Sequence, residues 1–209
     1  MPEQADIGIL ALQGGVIEHR QHLTALGIRC REVRYPRDLP GLKGLILPGG
    51  ESTCLGRLLR LTGMGDAIVT GHRDHALRLW GTCAGAILLA TEIEGESPHL
   101  SLIDMTIRRN AFGSQLASFR TEALVPEVCA APVPLVFIRA PQIVRTGSDV
   151  HVLLHHGGHV AAAQTAAILV TVFHPELSES LAFHTHFVRL CALDVAADAP
   201  TSRTPFLGR

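Results

Sequence analysis

Apolar residues in this chain fall in short runs that stop at glycine or proline, with stretches of helical period between them. Ile7-Gly8-Ile9-Leu10-Ala11-Leu12 is the first such run and ends at Gly14-Gly15. Residues 16–26 then carry apolar positions at helical spacing up to Gly27, so the opening predicts strand, turn and helix. Residues 29–33 predict a second strand. Gly44-Leu45-Ile46-Leu47 predicts a third, which stops at Pro48-Gly49-Gly50 because proline cannot donate to a β-ladder. Helices are expected over 54–61 and 64–71. Leu77-Arg78-Leu79-Trp80 reads as a strand running into Gly81, and residues 84–91 as the helix after it. A strand–helix unit repeated in this way is the pattern of a parallel sheet covered on both faces.

The second half changes period. Residues 105–107, 135–138, 150–154, 160–164 and 168–173 are short strand-like runs with few helical intervals, which predicts some antiparallel pairing. His155-His156-Gly157-Gly158-His159 has the glycine pair of a hairpin tip. Across 180–193 the apolar residues Leu181, Phe183, Phe187, Val188, Leu190 and Cys191 suit a closing helix packed on the sheet. From Val195 the chain turns Ala-, Pro-, Ser- and Thr-rich, the composition of a loose tail. The expected organisation is therefore one α/β domain over 1–194 and a tail over 195–209.

Composition narrows the partners. With 47% hydrophobic residues in 209, the chain can close one sizeable core. Lys plus Arg number 18 against 19 Asp plus Glu, leaving no positive surplus to attract nucleic acid or a membrane surface. Glu3 and Asp6 ahead of a short apolar run fit neither a signal peptide nor a membrane span, so a cytoplasmic location is expected. The five cysteines contain no CxxC pair, against both a disulfide framework and a zinc ribbon. His155, His156, His159, His184 and His186 invite a metal reading, but histidines are cheap at an exposed hairpin tip; neither metal nor organic cofactor is expected.

Three segments carry chemistry. Gly81-Thr82-Cys83-Ala84-Gly85, after a strand and before a helix, is the cysteine form of the nucleophile elbow. Small flanking residues let a tight turn push the side chain outward, and a helix N-terminus favours the thiolate that attacks. The bland alternative is a buried cysteine in a glycine turn. His174-Pro175-Glu176 follows the run 168–173; in an extended segment residues two apart share a side, so His174 can face the thiol while Glu176 orients its ring. Pro48-Gly49-Gly50-Glu51-Ser52 sits at the end of another parallel strand, where such sheets bind ligands. Its amides can complete an oxyanion hole with the N–H of Ala84, or Ser52 can simply cap the next helix.

Together these segments resemble the triad class of glutamine amidotransferases, and within it the glutaminase subunits of pyridoxal 5′-phosphate synthase. The resemblance covers about residues 6–193. Beyond the class motifs it rests on Leu12-Gln13-Gly14, Pro48-Gly49-Gly50-Glu51-Ser52-Thr53, Arg109-Asn110-Ala111-Phe112-Gly113 and Phe137-Ile138-Arg139-Ala140-Pro141. It implies a three-layer, flavodoxin-like α/β/α fold with a Cys83, His174, Glu176 triad. Glutamine would be bound by Gly49, Gly50, Glu51, Arg109, Ile138 and Arg139, with the oxyanion at Gly50 and Ala84. It also implies a separate barrel-shaped synthase subunit that takes up the ammonia, in a hetero-oligomer. Cys54 and Ser114 depart from the family's usual residues, and 161–167 is unusually alanine-rich. Two other readings stay open: the same glutaminase feeding another synthase, such as one of the histidine pathway, or a catalytically silent ligand-binding relative.

Overall fold

The computed structural model describes residues 6–109, 118–195 and 200–203. Its first half follows the expected alternation: β1 (Ile7–Leu10), α1 (Val16–Ala25), β2 (Cys30–Val33), β3 (Gly44–Leu47), α2 (Ser52–Leu61), α3 (Met64–His75), β4 (Arg78–Thr82) and α4 (Ala84–Leu89). The second half supplies β5 (Ala90–Ile93), β6 (Ile103–Arg108), β7 (Ser118–Val125), β8 (Cys129–Ile138), β9 (Gln142–Thr146), β10 (His151–His156), β11 (His159–Gln164), β12 (Ile168–Thr171) and α5 (Ala182–Leu190). The main sheet runs β2-β1-β3-β4-β12-β11-β9-β6-β5, with β10 paired to β11, while β7 and β8 form a separate hairpin.

From β2 to β12 the neighbours are parallel. From β12 to β6 they are antiparallel, as the change of period in the second half predicts. β1, β3 and β12 are buried at every position, which explains their unbroken apolar runs. The glycine tip is a two-residue hairpin turn, with Gly157 and Gly158 both at positive φ (58° and 81°).

Three strands escaped the sequence reading. β5 begins where the helix expected to reach residue 91 instead stops at Leu89, with Ala90 extended (φ −61°, ψ 143°). β7 alternates Phe119, Thr121, Ala123 and Val125 with more exposed residues, a period-2 pattern diluted by Arg120 and Glu122. β8 begins well before Leu135 and tolerates Pro132 and Pro134 because its two-stranded ribbon leaves an edge unpaired. The third, β9, lies between β6 and β11 directly after Pro141. The Asn110-to-Gly113 motif, Ser114 and most of the expected tail lie outside the described residues. Pro200–Arg203 is docked: Leu181 N–H donates to Thr201 O (3.0 Å) and Arg203 N–H to Glu179 O (2.8 Å).

At the turn after β4 the packing is backbone on backbone. A Cβ added at Gly85 would stand 1.9 Å from Leu47 O, and one at Gly81 would stand 2.5 Å from the Gly85 carbonyl. On the opposite face, α1 turns His19, His22 and Leu23 into the core, and α5 meets it with His184 and Phe187. The His22 and His184 rings stack at 4.2 Å, and His184 stands edge-on to the buried Trp80 at 4.8 Å.

Burial, opposed by Glu176, draws His19 down to about 4, and burial holds His22 and His184 below the ordinary imidazole value. Unfolded histidines protonate at about 6.5. As pH falls, the unfolded chain therefore takes up protons first. The stability this trio supplies is full above pH 6.5 and is lost as pH drops from there toward 4. The urea midpoint is expected to fall between pH 7 and pH 5; a flat midpoint would show that the trio titrates as in the unfolded chain. Gly85→Ala should cost about 2–3 kcal/mol by overpacking, whereas Gly95→Asn, left-handed at φ 79° with open space around it, should change urea stability by less than about 1 kcal/mol.

Candidate active site

Four parallel strands, β1, β3, β4 and β12, deliver their carboxyl ends to one place. The turn after β4 sets Cys83 at φ 47° and ψ −104°, a left-sided backbone that costs a non-glycine residue on the order of 1–3 kcal/mol. The glycine contacts on either side hold it there, and Cys83 N–H donates to Thr171 O of β12 at 2.8 Å. The thiol, 7% exposed, is directed toward Ile138 O at 3.9 Å.

His174 follows β12, its N–H donating to Val136 O of β8 at 2.8 Å. Its imidazole and the Cys83 side chain meet over Gly49, where an added Cβ would stand 2.5 Å from His174 Cε1 and 3.4 Å from Cys83 Cβ. Only glycine leaves room for both. Glu176 lies behind the ring, with His174 Nδ1 and Glu176 Oε1 2.8 Å apart. The extended geometry expected for this segment is not what achieves the contact: Pro175–Leu177 is a 3-10 turn, in which proline suits the first position. The carboxylate then tucks under the start of α1, against Gly15.

The charges follow from this seating. Burial works against an imidazolium at His174, but Cys83 and Glu176 outweigh it and push His174 up to about 10. Burial likewise raises Glu176, yet His19 and His174 together bring it below the ordinary carboxylate value. The ring thus gains basicity from both neighbours, the Cys83 sulfur and the buried Glu176 carboxylate.

The loop after β3 is fixed from both sides. Gly49 N–H donates to Thr82 Oγ1 (3.0 Å) and Glu51 N–H to Gln13 Oε1 (3.0 Å). Glu51 then caps α2, accepting from Thr53 N–H (3.0 Å) and Cys54 N–H (2.7 Å); the cap is Glu51, not Ser52 as the bland reading of this loop had it. These amides, ahead of Arg109, lower the Glu51 carboxyl below its usual value. Arg109 bridges Glu51 (3.1 Å), Glu96 (2.7 Å) and Thr53 Oγ1 (2.9 Å).

Gly50, Glu51, Cys83, Ala84, Arg109, Ile138, Arg139 and His174 line one cleft of about 290 Å³. Gly49 packs against His174 and Cys83 beside it, and Glu176 is enclosed behind His174. All the candidate site residues read from the sequence thus converge. Arg139 enters at φ 46°, a second strained position at the rim. Sequence reasoning gave no role to Gln13, Thr82, Glu96 or His19. Gln13 and Thr82 lie within quoted motifs that assign them no part, while Glu96 and His19 carry no local signal, since each acts on a residue distant in sequence. Among the described residues, no group of three or more His, Cys, Asp or Glu side chains is arranged to hold a metal, and no helix is long and apolar enough to cross a membrane.

Comparison with known proteins bears on the family and the fold. A pyridoxal 5′-phosphate synthase subunit PdxT of Syntrophus aciditrophicus (strain SB) is 57% identical over 90% of this chain and 83% of its own. The PdxT of Deinococcus radiodurans is 48% identical over 88% of this chain and 96% of its own. A crystal structure of a glutamine amidotransferase superposes with a TM-score of 0.85 at 42% identity, covering 90% of this chain and 99% of that one. PurLQS from Thermotoga maritima shares the fold at 14% identity, with a TM-score of 0.64 over 90% of this chain and 100% of that one. The family described as the SNO glutamine amidotransferase family matches residues 9–193, and this chain belongs to it.

Proposed function

We propose that this protein hydrolyses L-glutamine to glutamate and ammonia through Cys83, His174 and Glu176, and passes the ammonia to a pyridoxal 5′-phosphate synthase partner. The observation that carries the reading is the buried Glu176 carboxylate 2.8 Å from His174 Nδ1, on a ring that meets the Cys83 side chain, itself on a strained elbow, over Gly49. Cys83 and His174 line the cleft with Arg109 and Arg139 while Glu176 is enclosed behind His174, an order that supports the roles of nucleophile, base and orienter.

In this mechanism the Cys83 thiolate attacks the side-chain amide carbon of glutamine. Because the amides of Gly49 and Glu51 are engaged by Thr82 and Gln13, Gly50 is the loop donor assigned to the oxyanion, together with Ala84. His174, charged beside the thiolate, gives its proton to the departing ammonia. The neutral ring then takes a proton from water, and the resulting hydroxide cleaves the thioester to release glutamate. Glu176 keeps the Nδ1 proton in place and stabilises the ring each time it is charged. Gly49, Gly50, Glu51, Arg109, Ile138 and Arg139 hold the substrate.

The partner reading rests on the PdxT relatives, whose names make them subunits of a synthase. The acceptor is a separate barrel-shaped synthase chain in a cytoplasmic hetero-oligomer, since the ten-stranded sheet and two-stranded ribbon of this chain make no eight-stranded parallel barrel among the described residues. Ammonia release from glutamine, measured with and without such a subunit, tests chemistry and partner together. Cys83→Ala and His174→Asn should each lower kcat on the order of 1,000-fold or more, and Glu176→Gln on the order of 100-fold. Wild-type ammonia release by Cys83→Ala would remove the nucleophile assignment.

A further inference from the structure

Behind the proposed triad, two buried polar atoms have no hydrogen-bond partner and stand 3.6 Å apart, just beyond hydrogen-bond length: Glu176 Oε2 and His19 Nε2. Both side chains are shut off from water, His19 at 0% and Glu176 at 1% exposure. His19 stands one helical turn beyond Gly15, the residue against which the carboxylate is seated, so a single face of α1 meets Glu176 twice. The other nitrogen of His19, Nδ1, lies 2.9 Å from His184 Nε2 on α5.

The direction of this chain follows from electrostatics. A buried carboxylate requires donors, and a bare imidazole nitrogen aimed at it would set lone pair against lone pair in a medium of low dielectric. His19 must therefore carry its proton on Nε2. Its Nδ1 is then an acceptor, so His184 must donate from Nε2, leaving His184 Nδ1 as the unprotonated end; that atom is indeed buried without a partner. An unpaired lone pair is the less expensive group to bury; with the opposite tautomers the His184 Nδ1–H donor would go unmatched and the His19 Nε2 lone pair would face the carboxylate. His22 closes the cluster by stacking on His184, its nitrogens 2.9 Å from Glu18 O and 3.0 Å from Ser178 O.

We infer that His19 is a positioning residue for the reaction: its Nε2–H holds the second oxygen of Glu176, and His184 fixes the tautomer in which it does so. The inference rests on the triad reading above. It explains why Glu176 can be buried, anionic and pointed at His174 with only one of its oxygens on that ring. Burial keeps His19 neutral, against the pull of Glu176 and with the push of His22 and His174. A neutral donor orients the carboxylate without cancelling the charge that His174 needs. The other charge acting on the cluster is Arg203, which works on His22 and His184.

The test uses the full chain with its synthase partner and glutamine as substrate. His19→Leu should lower kcat on the order of 10- to 100-fold with KM changed less than about twofold, and His19→Gln, which keeps a donor, should recover most of that loss. Thermal unfolding of each variant reports the packing cost separately. A folded His19→Leu with wild-type kcat, or a His19→Gln no better than His19→Leu, would overturn the inference. Nitrogen-15 spectra of histidine-labelled wild-type protein give a readout that no variant can spoil. His19 is expected as the Nε2–H tautomer, and an Nδ1–H tautomer refutes the proposal. If Cys83→Ala retains full activity, it is the triad reading that fails, whatever His19 does.

Discussion

The contact between Gly85 and the Leu47 carbonyl is the constraint on which the site depends. Helix α4 can lie that close to β3 only because no side chain intervenes at the crossing. That closeness bends the chain at Cys83 into a backbone conformation it would not choose, and it brings the loop after β3 within reach of the thiol. Once Gly49 is there, its own lack of a side chain leaves the space in which His174 and Cys83 meet. Strain at one residue is thus maintained by close packing at its neighbours, and the thiol is presented by the middle of a sheet instead of a loose loop.

A second dependence is electrostatic. Burying Glu176 costs solvation, and the structure compensates by placing the carboxylate between an imidazole in front and the first turn of α1 behind. The imidazolium in turn is stable only while the anion stays buried and close. Each charge is therefore justified by the other, and neither would survive alone in so dry a setting. The sulfur completes the set, since the ring gains from it on the side facing the cleft.

Much of this was legible because parallel strands buried on both faces must be continuously apolar, and glycines must mark the places where backbones touch. β1, β3, β4 and β12 could be read from those two rules, as could Cys83, Gly49 and Gly50. His174 and Glu176 were legible as a pair, although by a 3-10 turn and not by an extended segment. β7 and β8 were harder, because an outlying ribbon carries polar residues and prolines that the main sheet would refuse. Least legible was the face of α1: His19 and His22 look like ordinary polar helix positions. Only the arrival of α5, from the far end of the chain, buries them.

The order of strands also bears on how the enzyme is made. β4 carries the elbow at its end, but its neighbour on the far side is β12, and the Cys83 amide closes onto Thr171 of that strand. During synthesis the cysteine leaves the ribosome long before the strand that will anchor it, the histidine that faces it and the carboxylate behind. Such a distant pairing forms late, because the intervening chain must first be gathered in. In the nascent polypeptide the cysteine is therefore without its histidine and carboxylate neighbours, which join it only when the last strand enters the sheet.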